Sequence, residues 1–124
     1  MTTTFSLNVA ALSIDCADAE ALADFWGKAL GRPVSPGAVA GDTAVDAAGP
    51  ESGPRMLFHN VPEPAAVSNR IRLVLVTDHY DEETERLTAL GAGPLNENKL
   101  PQVRWTTFAD PEGNEFDLAT WQSE

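Results

Sequence analysis

The chain is poor in cysteine, in basic side chains and in long apolar runs, and each shortage excludes something. One cysteine, Cys16, occurs in 124 residues, so no internal disulfide can form; this agrees with a reducing compartment, and the expected location is the cytoplasm. Only 8 Lys and Arg stand against 19 Asp and Glu, giving a net charge of −11. Such a surface repels a phosphate backbone, so nucleic acid is not an expected partner. No stretch approaches the roughly 20 apolar residues of a membrane helix, so no membrane partner is expected. The opening MTTTFSLNVAALSID lacks a basic n-region and a long apolar core, and so does not read as a signal peptide. Nucleophile elbow, phosphate-cradling glycine loop and zinc ribbon are all missing.

What remains is ordinary globular material, 43% hydrophobic and 22% charged, in a length that suits one domain with a modest core. Residues 9–15 alternate as a half-buried strand does. Asp18 then caps a helix whose stripe is Leu22, Phe25, Trp26 and Leu30, and Gly31 stops it. The arrangement returns: an apolar strand at 71–76, a cap at Asp78 or Asp81, the helix DEETERLTAL, and a stop at Gly91. Asp18 and Asp78 stand 60 positions apart, as do Gly31 and Gly91. A fixed offset across strand, cap, helix and stop marks an internal repeat.

Each copy continues into strands. The first has weak material at 40–48, a turn at GPESGP and a clear strand at 55–59. The second has strands at 103–109 and 114–120 joined by the tight turn Asp110-Pro111-Glu112-Gly113. The fold class is therefore α+β: two βαβββ modules, at about 5–61 and 70–121, joined by a proline-bearing linker at 61–69. Neither half of about 60 residues would readily bury a core alone, so one domain, 1–124, is expected. Helices covering one face of the sheets leave the other free to curve into a cleft.

In this order the pieces IDCADAEALADFWGKALG, FHNVPEPAAVSNRIRL, LTALGA and WTTFADPEGNEFDL resemble the glyoxalase/bleomycin-resistance (vicinal oxygen chelate) superfamily, in its glyoxalase-like branch. The resemblance implies an open curved sheet around a cavity, and a homodimer whose clefts a partner completes. In metal-dependent members it also implies a divalent ion held by His, Gln or Glu from both halves. Carried onto this chain, the ligand positions fall at or next to Ala11, at Arg72 and at Asp117. Alanine coordinates nothing, and a guanidinium has no lone pair to offer. Asp117 could ligate; His59 has no fixed match. The expectation is no metal and no cofactor.

Alternation predicts that Ile71, Leu73 and Leu75 face the helices and that Arg70, Arg72 and Val74 face the cleft. It likewise predicts Glu115, Asp117 and Ala119, with Ala11, Ser13 and Asp15, on the cleft side. Arg72 either pairs with Asp117 or binds an anionic or carbonyl-bearing ligand through its planar donors. Trp105 is either core or a stacking surface in the cavity. Trp26 is assigned to the core, Trp121 to an interface or partly exposed end, His79 to solvent, and Cys16 to a buried, inert place.

Three functions compete. The first is a metal-independent protein that binds, sequesters or acts on a hydrophobic or aromatic metabolite or antibiotic, with Arg72, Trp105, Asp117, His59 and Ser13 as contacts. The second is an isomerase, cyclase or lyase using His59, Asp117 or Asp15 for acid–base work, with Glu115 also available and Arg72 steadying an anion. The third is a non-catalytic accessory protein.

Overall fold

A computed structural model describes residues 9–37, 41–47, 49, 53–62 and 71–121. The expected placement of Arg70, most of the linker and part of the GPESGP turn lie outside them. The elements are β1 (Ala11–Cys16), α1 (Ala19–Leu30), β2 (Val34–Pro36), β3 (Thr43–Val45) and β4 (Arg55–Asn60). They are followed by β5 (Leu73–Val76), α2 (Tyr80–Leu90), β6 (Gly93–Leu100), β7 (Val103–Ala109) and β8 (Glu115–Trp121). Two open, curved four-stranded sheets result, ordered β1-β4-β3-β2 and β5-β8-β7-β6. In each, the first strand runs parallel to the last and the other pairings are antiparallel. This is the α+β, doubled βαβββ architecture read from the sequence.

The repeat is not uniform. Leu12 opposes Met56 in the first sheet, and Leu73 opposes Phe116 in the second. First strands therefore correspond at 61 positions and last strands at 60. The step falls in the helices, where α1 has 12 residues and α2 has 11. It corrects the cap expected at Asp78 or Asp81: α2 is capped at His79, with no side-chain hydrogen bond. Tyr80 explains the shift. Its buried hydroxyl pairs with that of Thr106 on β7, and its ring lies 4.0 Å under the Arg104 guanidinium. Burying that ring fixes residue 80 in the first turn; the carboxylates Asp81, Glu82 and Glu83 then sit where the helix dipole favours anions.

Within the weak strand expected at 40–48, Thr43–Val45 form β3, paired with an equally short β2. One other expectation is corrected. Ile71 precedes β5 and is 77% exposed instead of packing against the helices; Leu73 and Leu75 do pack there.

Helix α1 forms as its pattern predicts. Asp18 Oδ1 accepts from Ala21 N at 3.1 Å, Leu22, Phe25 and Trp26 are buried, and Gly31 closes the end at φ 65°. Gly27 lets β2 approach, since a Cβ there would meet Val34 Cγ2 at 2.6 Å. The core is continuous across the modules. Trp26 of α1 meets Phe116 of β8 edge-on with centroids 4.8 Å apart, and Phe116 stacks on Phe108 at 5.5 Å.

Module two also grips α1 at both ends. The β7–β8 turn is organised by buried Asp110, whose Oδ1 accepts from Glu112 N and Asn114 N, both at 2.9 Å. Its Oδ2 accepts from Trp26 Nε1 at 3.0 Å. Glu112, one step along the turn, accepts from Ala17 N at 2.7 Å and Asp18 N at 2.9 Å. At the other end Arg86 of α2, steadied by Glu83, donates to the carbonyls of Lys28 at 3.0 Å and Ala29 at 2.8 Å. An anion sits at the N-terminus of α1 and a cation at its C-terminus, as its dipole favours.

Replacing Asp110 with Ala strands the Trp26 indole N–H and unties the turn, at an expected cost of about 2–4 kcal/mol in urea unfolding. Glu112→Ala removes only the grip on α1 and should cost about 1 kcal/mol. Equal stability of both variants and the parent would show that the turn does not hold the modules together.

Candidate functional site

Strand parity decides which side chains reach the face away from the helices. In sheet two, Phe116, Leu118 and Phe108 turn toward the helices and are buried. Their alternates on β8 and β7, which include Glu115, Asp117 and Ala119 together with Trp105 and Thr107, occupy the opposite face. Val74 opposes Asp117 and Val76 opposes Ala119 from β5. On this face Val74 is 59% and Val76 60% exposed. Trp121 at its margin is 71% exposed, in line with the end position expected of it.

A polar anchor is set into this apolar ground. Asp117 is buried; its Oδ1 accepts from Thr107 Oγ1, directly across the hairpin, at 2.6 Å. Arg72 reaches the same oxygen with Nη1 at 3.5 Å and gives its shorter contact, 2.8 Å, to Glu115 Oε1. The guanidinium thus bridges two carboxylates, Glu115 more closely than the Asp117 partner expected for it. It stays 43% exposed, so donors remain on its open side. Trp105 is half-buried and opposes buried Ala119 in register.

Sheet one presents a different group. Ser13 and Asp15 of β1 are exposed on the outer face, while His59 of β4 is half-buried and opposes Asp15 in register. His59 Nδ1 lies 2.6 Å from Asp42 Oδ2. Behind it, buried Cys16 donates its thiol to the His59 carbonyl at 3.4 Å. Arg72, Asp117 and Trp105 therefore assemble on one sheet, and His59, Asp15 and Ser13 on the other. Trp26 lies in the core and His79 in solvent, as read from the sequence.

The repeat bears on the metal positions. With first strands matched at 61 and last strands at 60, Ala11 corresponds to Arg72 and Leu57 to Asp117. Of these four related positions only Asp117 carries a donor, already engaged by Thr107 and Arg72. His59 lies one pleat beyond Leu57. Among the described residues no three His, Cys, Asp or Glu gather closely enough to hold a metal ion. This donor set does not fit the superfamily's divalent ion.

Sequence reasoning missed Thr107 and Asp42. A symmetric count from the 110–113 turn pairs Thr107 with Phe116; the hairpin is one residue out of that step, Ala109 opposing Glu115, and this brings Thr107 to Asp117. Asp42 comes beside His59 only through the register of a three-residue strand with no clear alternation. An open groove of about 520 Å³ also runs along the outer edge of β5, floored by Leu75, Leu87 and Leu118 and rimmed by Glu83 and Arg86. Among the described residues no helix is long and apolar enough to cross a membrane.

Paired βαβββ units with curved sheets and a helix-free outer face define a class of two-module α+β proteins. A family model for the glyoxalase-like domain matches residues 11–119, and the chain belongs to that family, within the glyoxalase/bleomycin resistance/dioxygenase superfamily. Comparison with curated proteins gave no match. Several solved structures share the fold. TnmS3, an antibiotic binding protein from a Streptomyces species, is 23% identical with TM-score 0.69, over 98% of this chain and 100% of that one. A glyoxalase/bleomycin resistance protein/dioxygenase family enzyme from Burkholderia phytofirmans is 14% identical with TM-score 0.74, over 94% and 100%. TioX from Micromonospora is 18% identical with TM-score 0.64, over 91% and 98%.

Burial, reinforced by the carboxylates of Glu112, Asp18, Asp15 and Asp42, pushes the Cys16 thiol from 9.0 up to about 11. The folded chain thus holds that proton more tightly than the unfolded one. The contribution to stability is complete below pH 9 and is lost as pH rises from 9 to 11. Iodoacetamide should leave native Cys16 unlabelled at pH 8 and label it in urea. Urea midpoints should fall between pH 9 and 11, and by less in Cys16→Ala. Rapid labelling of the native protein would contradict this placement.

Proposed function

We propose that the chain is a metal-independent small-molecule-binding protein whose ligand is a flat, largely apolar compound bearing a carbonyl or anionic group. The observation that carries this reading is the outer face of sheet two. There a half-exposed cation, Arg72, shares a face with exposed Val74 and Val76 and half-buried Trp105. An aromatic system would stack on Trp105 and displace water from the valines. Its oxygen would take the free guanidinium donors, which Glu115 and Asp117 hold in place. The Streptomyces protein of the same fold is an antibiotic binding protein, which supports a small-molecule ligand, and the unfit donor set argues for binding without metal. On this reading Ser13 and His59 are further contacts for a ligand extending over sheet one. The exposed apolar residues also favour a homodimer that covers part of this face, and the acidic chain acts in the cytoplasm.

The test is thermal unfolding with a panel of planar aromatic carboxylates and quinones, anthraquinone-2-carboxylate among them. A binder present at 100 times its Kd adds about 2.7 kcal/mol of stability and should quench tryptophan fluorescence. Arg72→Leu should weaken binding about 10- to 100-fold, and Trp105→Ala should abolish the quenching. Full affinity in Arg72→Leu would refute the anchor.

A further inference from the structure

We propose that the Asp42–His59 pair on sheet one is a catalytic base for carbon acids, with His59 as the catalytic residue and Asp42 as its positioning residue. It lies on a different sheet from the Arg72 anchor and does not depend on that reading. His59 alternates with fully buried Phe58, so its ring projects from the outer face, 36% exposed. Asp42 is held in place: its side chain is 12% exposed, Oδ1 accepts from Asn60 N at 3.3 Å, and its carbonyl accepts from Gly37 N at 2.9 Å. With Oδ2 at 2.6 Å from Nδ1, the neutral ring keeps its proton on Nδ1. The lone pair is then on Nε2, which has no hydrogen-bond partner among the described residues.

Two side chains share the face of this ring: Asp42 from the segment before β3 and Asp15, opposite in register on β1; the Cys16 thiol lies behind, on the His59 backbone carbonyl. Asp42 stays hydrogen-bonded to Nδ1–H while Nε2 takes a proton, which holds the ring in place through the transfer. One pleat away, exposed Ser13 offers a hydroxyl and half-buried Leu57 an apolar floor.

The substrate class is a small molecule with a C–H next to a carbonyl or in an electron-poor ring. Nε2 takes the proton, the C–H electron pair forms a C=C bond, and the carbonyl π pair moves to oxygen. In a β,γ-unsaturated carbonyl compound the proton then returns to the γ carbon and the oxygen pair re-forms C=O. The double bond moves between the α and β carbons, so the molecule is isomerised with no oxidant or co-reactant.

The probe is 5-nitrobenzisoxazole, followed through release of its coloured nitrophenolate. There the base takes the ring C–H proton, the C–H pair becomes the third C–N bond, and the N–O pair leaves on oxygen. The parent protein should exceed His59→Gln by about 10²-fold in kcat/KM, with His79→Gln unchanged. Asp42→Asn should lose most of this rate. An asparagine oxygen serving Asn60 N turns its NH₂ toward Nδ1, moving the ring proton to Nε2. Nitrogen-15 NMR of the His59 ring reads that tautomer directly, in the parent as Nδ1–H. A parent rate no higher than that of His59→Gln, or a parent ring protonated on Nε2, would overturn the proposal.

Discussion

The Glu112 carboxylate lies across the backbone N–H groups of Ala17 and Asp18, which open helix α1. Glu112 belongs to the last hairpin of module two, α1 to module one, and the residues lie more than 90 positions apart. The contact takes two donors that no helix can satisfy internally and gives them a charged acceptor from the other half. Asp110 beside it binds the Trp26 indole, so the turn that caps the helix also fixes its largest buried ring. Arg86 closes the far end. With α1 clamped at both ends, Trp26 is placed against Phe116, and one core forms where two half-cores would be marginal.

The same turn shows why the fold was legible. Asp-Pro-Glu-Gly carries its own geometry, with Gly113 at φ 87° and Asp110 accepting from the turn amides; no distant residue is needed to form it. The capping of α1 by Asp18, the stop at Gly31 and the alternation of β8 were local in the same sense. What was hidden needed long-range partners. The start of α2 is set by burial of Tyr80 against Thr106, so a count from Asp18 pointed one residue short of the true cap. The short strands β2 and β3 owe their existence to neighbours, since three residues rich in small side chains carry no period.

The candidate sites divide along the same line. Arg72 and Asp117 follow from alternation once the strands are placed, whereas Thr107 beside Asp117 needs the observed hairpin register. Asp42 beside His59 depends on a pairing that local sequence does not encode. Arg72 differed in detail: its closer partner is Glu115, because the parallel register that sets Leu73 opposite Phe116 brings Arg72 opposite Glu115 one residue earlier.

The one-residue step inside the helices keeps the frame of the two modules superposable while their chemistry diverges. Where Asp117 stands in sheet two, sheet one has Leu57, and its polar group, His59, lies one pleat further along. The two outer faces therefore share curvature but not polarity. One offers a fixed positive charge and the other a lone pair. If one ligand spans both faces as proposed, turned end for end it would meet the wrong group at each place, and a nearly symmetric scaffold would read the direction of an unsymmetric molecule.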